Sequence, residues 1–383
     1  MPRPCLTAIA MALCAAIPMT HSAAQPAPSP SKDLLAARID SLARARMVMG
    51  PVGLSIAVSR GNEVLLERAY GMADVAAGRQ ATTASSYRLG NVSGQFTVAM
   101  VLRLVDKGRL ALSDPIGRHL TTGLRPEWRA LTVEQLLSHT AGLAPDVKRE
   151  GSPGDPASTA DMLAWAARDT LRSAPGAGFA PSRVGYLLLA ALIETLHGKS
   201  YEAALREDIA RPLGLRSLGW CGDPSRDTLV TAAYQDVSAT DRRPVADMHP
   251  TRTLGSGGLC ATAGDLAAWN RALHGGRVLS PASYTAMTTA RPGAGGPPVN
   301  GWGLQVHVDP PWGIPTMMVL TGGQGFAAEN AWFPAESLSV TVLYNSFGGP
   351  GGPPLTLEIA EGLSAAAPAQ QPAAGAQAVG APR

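Results

Sequence analysis

The sequence predicts a mixed fold, α/β in content and α+β in arrangement: one antiparallel sheet flanked by helices, with a helical subdomain set between its strands. Three observations predict it. Two apolar runs near the start, Leu54–Ser59 and Val64–Tyr70, are separated by Arg60-Gly61-Asn62-Glu63 and read as a strand pair. A middle stretch, about residues 110–250, carries helix periodicity and capping signals. The last third alternates apolar and polar residues, as at Trp302, Leu304, Val306 and Val308. Strands at both ends with helices between them pack most simply as one sheet that joins the two ends, with helices laid on it.

Each element has its own local reason. Lys32–Met49 is helical because Leu35, Ile39 and Leu42 share a face, and Gly50-Pro51 stops it. Asn91–Lys107 is the next helix. Asn91 is placed to cap it, Val92, Phe96 and Met100 share one face, and Gly108 ends it. Thr132–Ser138 opens with a Thr-x-x-Gln capping box. Val184–His197 is a buried helix ended by Gly198, and Tyr201–Ile209 is another. Thr316–Leu320, Asn330–Phe333 and Leu338–Asn345 read as strands, and Leu355–Leu363 as a closing helix.

Composition narrows the function classes. The 383 residues are 45% hydrophobic and 16% charged, which supports a sizeable core and excludes a disordered chain. The basic residues are scattered over a formal net charge of +3, with no stripe for nucleic acid and no polybasic membrane anchor. Only Lys32, Lys107, Lys148 and Lys199 are lysines among 32 basic residues. Lysine can be tuned into the range of a general base and arginine cannot, so any lysine-dependent mechanism has these candidates alone. No metal-ligand pattern and no cofactor motif is present, and the sequence carries no signal for an oligomeric state.

Arg3, the apolar stretch Cys5–Met19 and the small-x-small site Ser22-Ala23-Ala24 read as a cleavable signal peptide over residues 1–24. A periplasmic or secreted chain follows. Residues 25–31 are a Pro-rich leader, 32–364 the folded domain, and 365–383 an Ala/Pro-rich disordered tail. No later segment is apolar enough to span a bilayer. Cys5 and Cys14 leave with the signal. In an exported chain the remaining Cys221 and Cys260 are expected to form a disulfide across a 39-residue separation, two separate buried thiols being the alternative.

Several stretches carry a resemblance. Tyr87-Arg88-Leu89-Gly90-Asn91-Val92-Ser93-Gly94-Gln95-Phe96-Thr97, Leu131-Thr132-Val133-Glu134-Gln135-Leu136-Leu137-Ser138-His139-Thr140-Ala141-Gly142-Leu143, Pro212-Leu213-Gly214-Leu215 and Gly257-Gly258-Leu259-Cys260-Ala261-Thr262 are among them. Together they resemble the serine beta-lactamase-related family: class C beta-lactamases, D-alanyl-D-alanine carboxypeptidases and related esterases. The resemblance covers roughly Leu34 to Asn345. It implies a penicillin-binding-protein-like fold and acyl transfer through three motifs. These are Ser-x-x-Lys at a helix N-terminus, Tyr-x-Asn, and Lys/His-x-Gly on a strand beside a backbone oxyanion donor.

This chain departs from all three. Asn91 stands at the nucleophile position and Gly94 at the lysine position. Pro181 replaces the tyrosine of the second motif and Arg183 its asparagine. Leu320-Thr321-Gly322 stands where Lys/His-x-Gly is expected. Losing the nucleophile alone costs such a hydrolase about a million-fold. The expectation is therefore an exported pseudoenzyme with no catalytic residue, whose cleft holds a small-molecule or peptidoglycan-type ligand. One alternative is an active serine hydrolase with a rearranged site, with Ser93 or Ser182 as nucleophile. A second is a structural or partner-binding protein of the cell envelope. Arg183, facing the old cleft, would offer a fixed fork for a carboxylate or phosphate.

Overall fold

The computed structural model describes residues 32–363, apart from 49, 51, 222, 224–229, 237–240, 247, 290–306, 309–315 and 348–352. The stretches expected to be signal peptide, leader and tail, together with Trp302, Leu304 and Val306, lie outside the described residues.

Helix α1 (Lys32–Val48) buries Leu35, Ile39 and Ala43 along one face. Strands β1 (Gly53–Arg60) and β2 (Glu63–Asp74) follow as an antiparallel hairpin, and β3 (Arg79–Gln80) pairs with β2. β4 (Tyr87–Arg88) leads into a single 3-10 turn at Gly90–Val92 and then α2 (Ser93–Asp106). The helical middle contains α3 (Val133–Leu137), α4 (Thr159–Ala166), α5 (Arg183–His197), α6 (Tyr201–Leu205) and α7 (Arg211–Leu213). Short strands β5 (Gly219–Trp220), β6 (Tyr234–Asp236), β7 (Arg242–Pro244) and β8 (Leu259–Ala261) separate them from α8 (Ala263–His274) and α9 (Pro281–Thr288). The chain closes with β9 (His307–Val308), β10 (Met317–Gly323), β11 (Phe326–Phe333), β12 (Leu338–Tyr344), β13 (Ser346–Phe347) and α10 (Leu355–Leu363).

The main sheet has seven strands in the order β3-β2-β1-β12-β11-β10-β9, and every neighbouring pair is antiparallel. The two ends of the chain meet between β1 and β12, in register from Leu54↔Tyr344 to Arg60↔Leu338. The alternation of β1 explains its central place. Leu54, Ile56 and Val58 join Val340, Val342 and Tyr344 of β12 in an outer core under α1 and α10. Ser55, Ala57 and Ser59 are small, and the opposite face packs against α8. α2 is buried on nearly every side, as expected of a helix sandwiched in the main core.

A polar network locks this inner face. Asn270 of α8 and Asn330 of β11 exchange amide hydrogen bonds at 2.8 and 2.9 Å. Asn270 also donates to Ser339 Oγ, and Thr341 Oγ1 donates to Asn330 Oδ1, both at 2.9 Å. Each buried amide is thereby satisfied, which fixes helix against sheet in one register. Cys260 of β8 is brought together with Cys221 as a sulfur pair.

Two local expectations change. No side chain caps α2: Val92 stands at its N-cap, because the helix is entered through a 3-10 turn rather than from an extended Asn91. The stretch Tyr201–Ile209 is not one regular helix. It passes from α6 into a π turn at Arg206–Ala210 before α7. Pro212 gives the reason, since it has no N–H to donate and its ring crowds the carbonyl four residues earlier, so the backbone widens there.

Candidate functional site

A two-lobed cleft opens at the head of α2. The smaller lobe, about 80 Å³, is walled by Arg88, Asn91, Thr321, Gly322, Gly323 and Phe326. The larger, about 270 Å³, is walled by His139, Asp146, Pro181, Ser182 and Tyr186. Asn91, Arg183 and Ser256 line both. The cleft thus gathers the end of β4, the start of α5, the glycine-rich loop before β8 and the edge of β10.

Asn91 is exposed, and its backbone N–H donates to Thr321 Oγ1 at 3.2 Å. Gly90 makes the approach feasible. Its φ is +50°, and a Cβ there would stand 2.8 Å from Thr321 Oγ1. Leu320 packs against the outer core, whereas Thr321 reaches the cleft, as strand alternation requires. Gly94 is buried in the first turn of α2. Ser93 beside it is 0% exposed, and its Oγ is buried with no hydrogen-bond partner.

At the head of α5, Ser182 is the N-cap. Its Oγ accepts from Gly185 N–H at 3.2 Å and donates to the Ala144 carbonyl at 2.6 Å. Its own N–H donates to His139 Nδ1 at 3.2 Å, and the His139 ring stacks on Tyr186 with centroids 4.9 Å apart. Pro181 stands exposed at the rim. The Tyr186 hydroxyl donates to the Leu137 carbonyl at 3.2 Å, and burial raises its pKa, which makes it a poor base.

The charged groups form one cluster. Arg183 Nη1 lies 2.7 Å and Arg149 Nη2 2.6 Å from the two carboxylate oxygens of Asp146. Burial pushes the Asp146 carboxyl up, but the two guanidinium groups outweigh it and hold its pKa below the ordinary value. Arg88 donates to the Met248 carbonyl at 3.0 Å and lies 5.8 Å from the centroid of the Phe326 ring. Burial, and then the charges of Arg88 and Arg252, lower the pKa of nearby His249, a sign of positive potential on this side. No lysine or cysteine lines either lobe, and no cluster of three or more His, Cys, Asp or Glu suited to a metal occurs among the described residues.

The sequence reading names Asn91, Pro181, Arg183, Thr321 and Gly322, and the fold brings these together. It passes over Arg88, Asp146 and Ser256. Arg88 and Ser256 stand within or beside stretches already singled out, but nothing periodic marks them as cleft residues.

Residues 39–364 match the Beta-lactamase family. The chain belongs to the beta-lactamase family. Among its relatives are the D-alanyl-D-alanine-carboxypeptidase/endopeptidase AmpH of Escherichia coli K12 and the esterase EstB of Burkholderia gladioli. AmpH is 27% identical over 67% of this chain and 66% of its own length. EstB is 33% identical over 50% of this chain and 53% of its own length. The chain thus spans less than two thirds of the length of each. The D-amino acid amidase of Ochrobactrum anthropi SV3, solved with D-phenylalanine, shares the fold with a TM-score of 0.73 at 21% identity, covering 86% of this chain and 97% of its own. Its relatives in the beta-lactamase family thus include an esterase and a peptidase. Among the described residues no helix is long and apolar enough to cross a membrane.

Proposed function

We propose that this beta-lactamase-family chain is exported, does not perform acyl transfer by the family's serine route, and keeps its cleft as a binding site. One observation carries the reading. The head of α2 presents Asn91 to the cleft, with its backbone N–H tied to Thr321 Oγ1 and Gly94 one turn on. An amide side chain is no acyl acceptor, and a backbone N–H already bonded to Thr321 is not free to meet a developing oxyanion. The strand alternation favours Thr321-Gly322-Gly323 as the third motif, with threonine in place of Lys or His.

The ligand best suited to the cleft is a small peptide-like molecule of the D-alanyl type, since AmpH is named for D-alanyl-D-alanine cleavage and the cleft has polar and aromatic walls. An exported chain supports an oxidised Cys221–Cys260 pair. Thermal-shift titration with D-alanyl-D-alanine peptides, muropeptides and beta-lactams tests the reading. It predicts a rise in Tm with at least one of them and no product by mass spectrometry. Product formed at a steady rate contradicts it.

A second reading has one observation in its favour. Ser256 lines both lobes, which makes it a better placed hydroxyl than the buried Ser93 or the capping Ser182. Any ester hydrolysis that survives Asn91→Ala but disappears in Ser256→Ala supports that reading.

A further inference from the structure

Three non-glycine residues among the described ones adopt a positive φ, and two of them line the Asn91 cleft. His139, at φ +57°, lines the larger lobe, and Gln324, at φ +51°, lines the smaller. The third, Ser337 at φ +48°, closes the 3-10 turn after β11. A side chain in this region costs free energy and persists only where its surroundings hold it. His139 is held by its own contacts. Its ring stacks on Tyr186 and meets Phe179 edge-on at 5.8 Å, and its Nδ1 accepts from Ser182 N–H.

Gln324 differs. With Gly325 it forms the two-residue loop that joins β10 to β11 after the register pair Gly323↔Phe326. Positive φ at both residues, +51° and +78°, makes the loop a type I′ turn, whose first position favours asparagine, aspartate or glycine. The turn is pinned from outside. The Gly325 carbonyl accepts from Tyr234 N–H of β6 at 3.3 Å, and a Cβ on Gly325 would stand 2.8 Å from that nitrogen. The turn itself gains nothing from glutamine that asparagine would not supply, so the longer reach is what sets this residue apart. Gln324 lines the small lobe beside Arg88, Asn91 and Thr321. The one side-chain hydrogen bond it makes among the described residues runs from Nε2 to Met248 Sδ at 3.6 Å, and a thioether is a weak acceptor. The neighbouring charges are engaged, Arg88 with the Met248 carbonyl and Arg183 with Asp146.

We infer that Gln324 is the residue that reads the backbone of a bound peptide. On binding, Nε2 leaves the Met248 sulfur to donate to a ligand carbonyl, and Oε1 accepts from the N–H of the same ligand residue. In an extended chain the N–H and C=O of one residue point to the same side, so a single carboxamide meets both. A carboxylate ligand would leave Oε1 without a donor, and an apolar ligand would leave both atoms unmet. The inference rests on the reading of this cleft as a site for a peptide-like molecule, and adds which residue selects it and by which atoms.

Calorimetric titration of the full chain with N-acetyl-D-alanyl-D-alanine and with O-acetyl-D-lactyl-D-alanine tests it. The second compound replaces the first residue's N–H by oxygen and keeps the shape. The native chain binds the dipeptide about fivefold or more tightly than the ester analogue. Gln324→Gly and Gln324→Asn each weaken the dipeptide about tenfold and remove the difference between the two compounds. The Tm of the free Gln324→Asn chain is unchanged or higher, because asparagine suits the turn, whereas a purely structural glutamine would lower it. If the native chain binds neither compound at millimolar concentration, the reading of the cleft fails and this inference with it. Dipeptide affinity unchanged in both variants, equal affinity of the native chain for the two compounds, or a lower Tm of free Gln324→Asn overturns the inference and leaves the cleft reading standing.

Discussion

The backbone N–H of Asn91 donates to Thr321 Oγ1 across 3.2 Å, joining the head of α2 to strand β10. This bond holds two walls of the cleft together.

Breaking that contact costs stability. Thr321→Val removes one partly solvated hydrogen bond and lowers unfolding free energy by about 0.5–1.5 kcal/mol. Gly90→Ala costs about 1–3 kcal/mol, because it strains a backbone at φ +50° and crowds the threonine. Urea unfolding of both variants measures the difference.

The Arg183–Asp146–Arg149 cluster sets an acid limit. Asp146 has a folded pKa below its ordinary value of 3.8, so the cluster stabilises the protein above that pH and loses its effect as pH falls through the folded value. Arg183 and Asp146 are both partly solvated, which limits the contribution to about 1 kcal/mol. The stability gap between the native chain and Asp146→Asn shrinks as the pH is lowered below 3.8, as read by the urea midpoint.

His274 sets a second limit at higher pH. Its ring stacks on Trp332 at 4.7 Å and meets Tyr284 Oη at 2.9 Å, and burial pushes its pKa down from 6.5 to about 3. The unfolded chain takes up this proton below pH 6.5 and the folded chain does not. Stability therefore falls with acidification, by about 1.4 kcal/mol per pH unit at most, between those two values. His274→Phe loses the Tyr284 contact, yet its stability is flatter between pH 7 and pH 5 than that of the native chain. Equal slopes contradict the buried neutral ring.

The Cys221–Cys260 disulfide that export implies would close a separation of 39 residues. Loop entropy gives it about 4 kcal/mol. Cys221→Ala/Cys260→Ala lowers the Tm under oxidising conditions and is unaffected by added reductant, while the native chain loses a comparable amount on reduction.

Much of the fold was legible in short-range signals. The Thr132–Gln135 capping box forms both of its bonds, at 3.2 and 3.0 Å, and Gly198 ends α5 in the left-handed region. Alternating residues in β1 and β12 carried the sheet. The π turn before Pro212 was not legible, because its helical periodicity resembles that of a regular helix. The cleft was half legible. Motif positions led to Asn91, Arg183 and Thr321, which sequence separation alone would not unite. Asp146 and Ser256 come from loops with no period, and only the folded chain brings them beside Arg183.

On the proposed reading, the head of α2 performs no acyl transfer. The most direct measurement incubates the purified chain with nitrocefin and p-nitrophenyl esters, and separately with a fluorophosphonate and with penicillin, followed by intact-mass analysis. Turnover no higher than a heat-killed control and an unchanged mass are expected. Turnover well above that control, with one serine carrying the adduct, would contradict it.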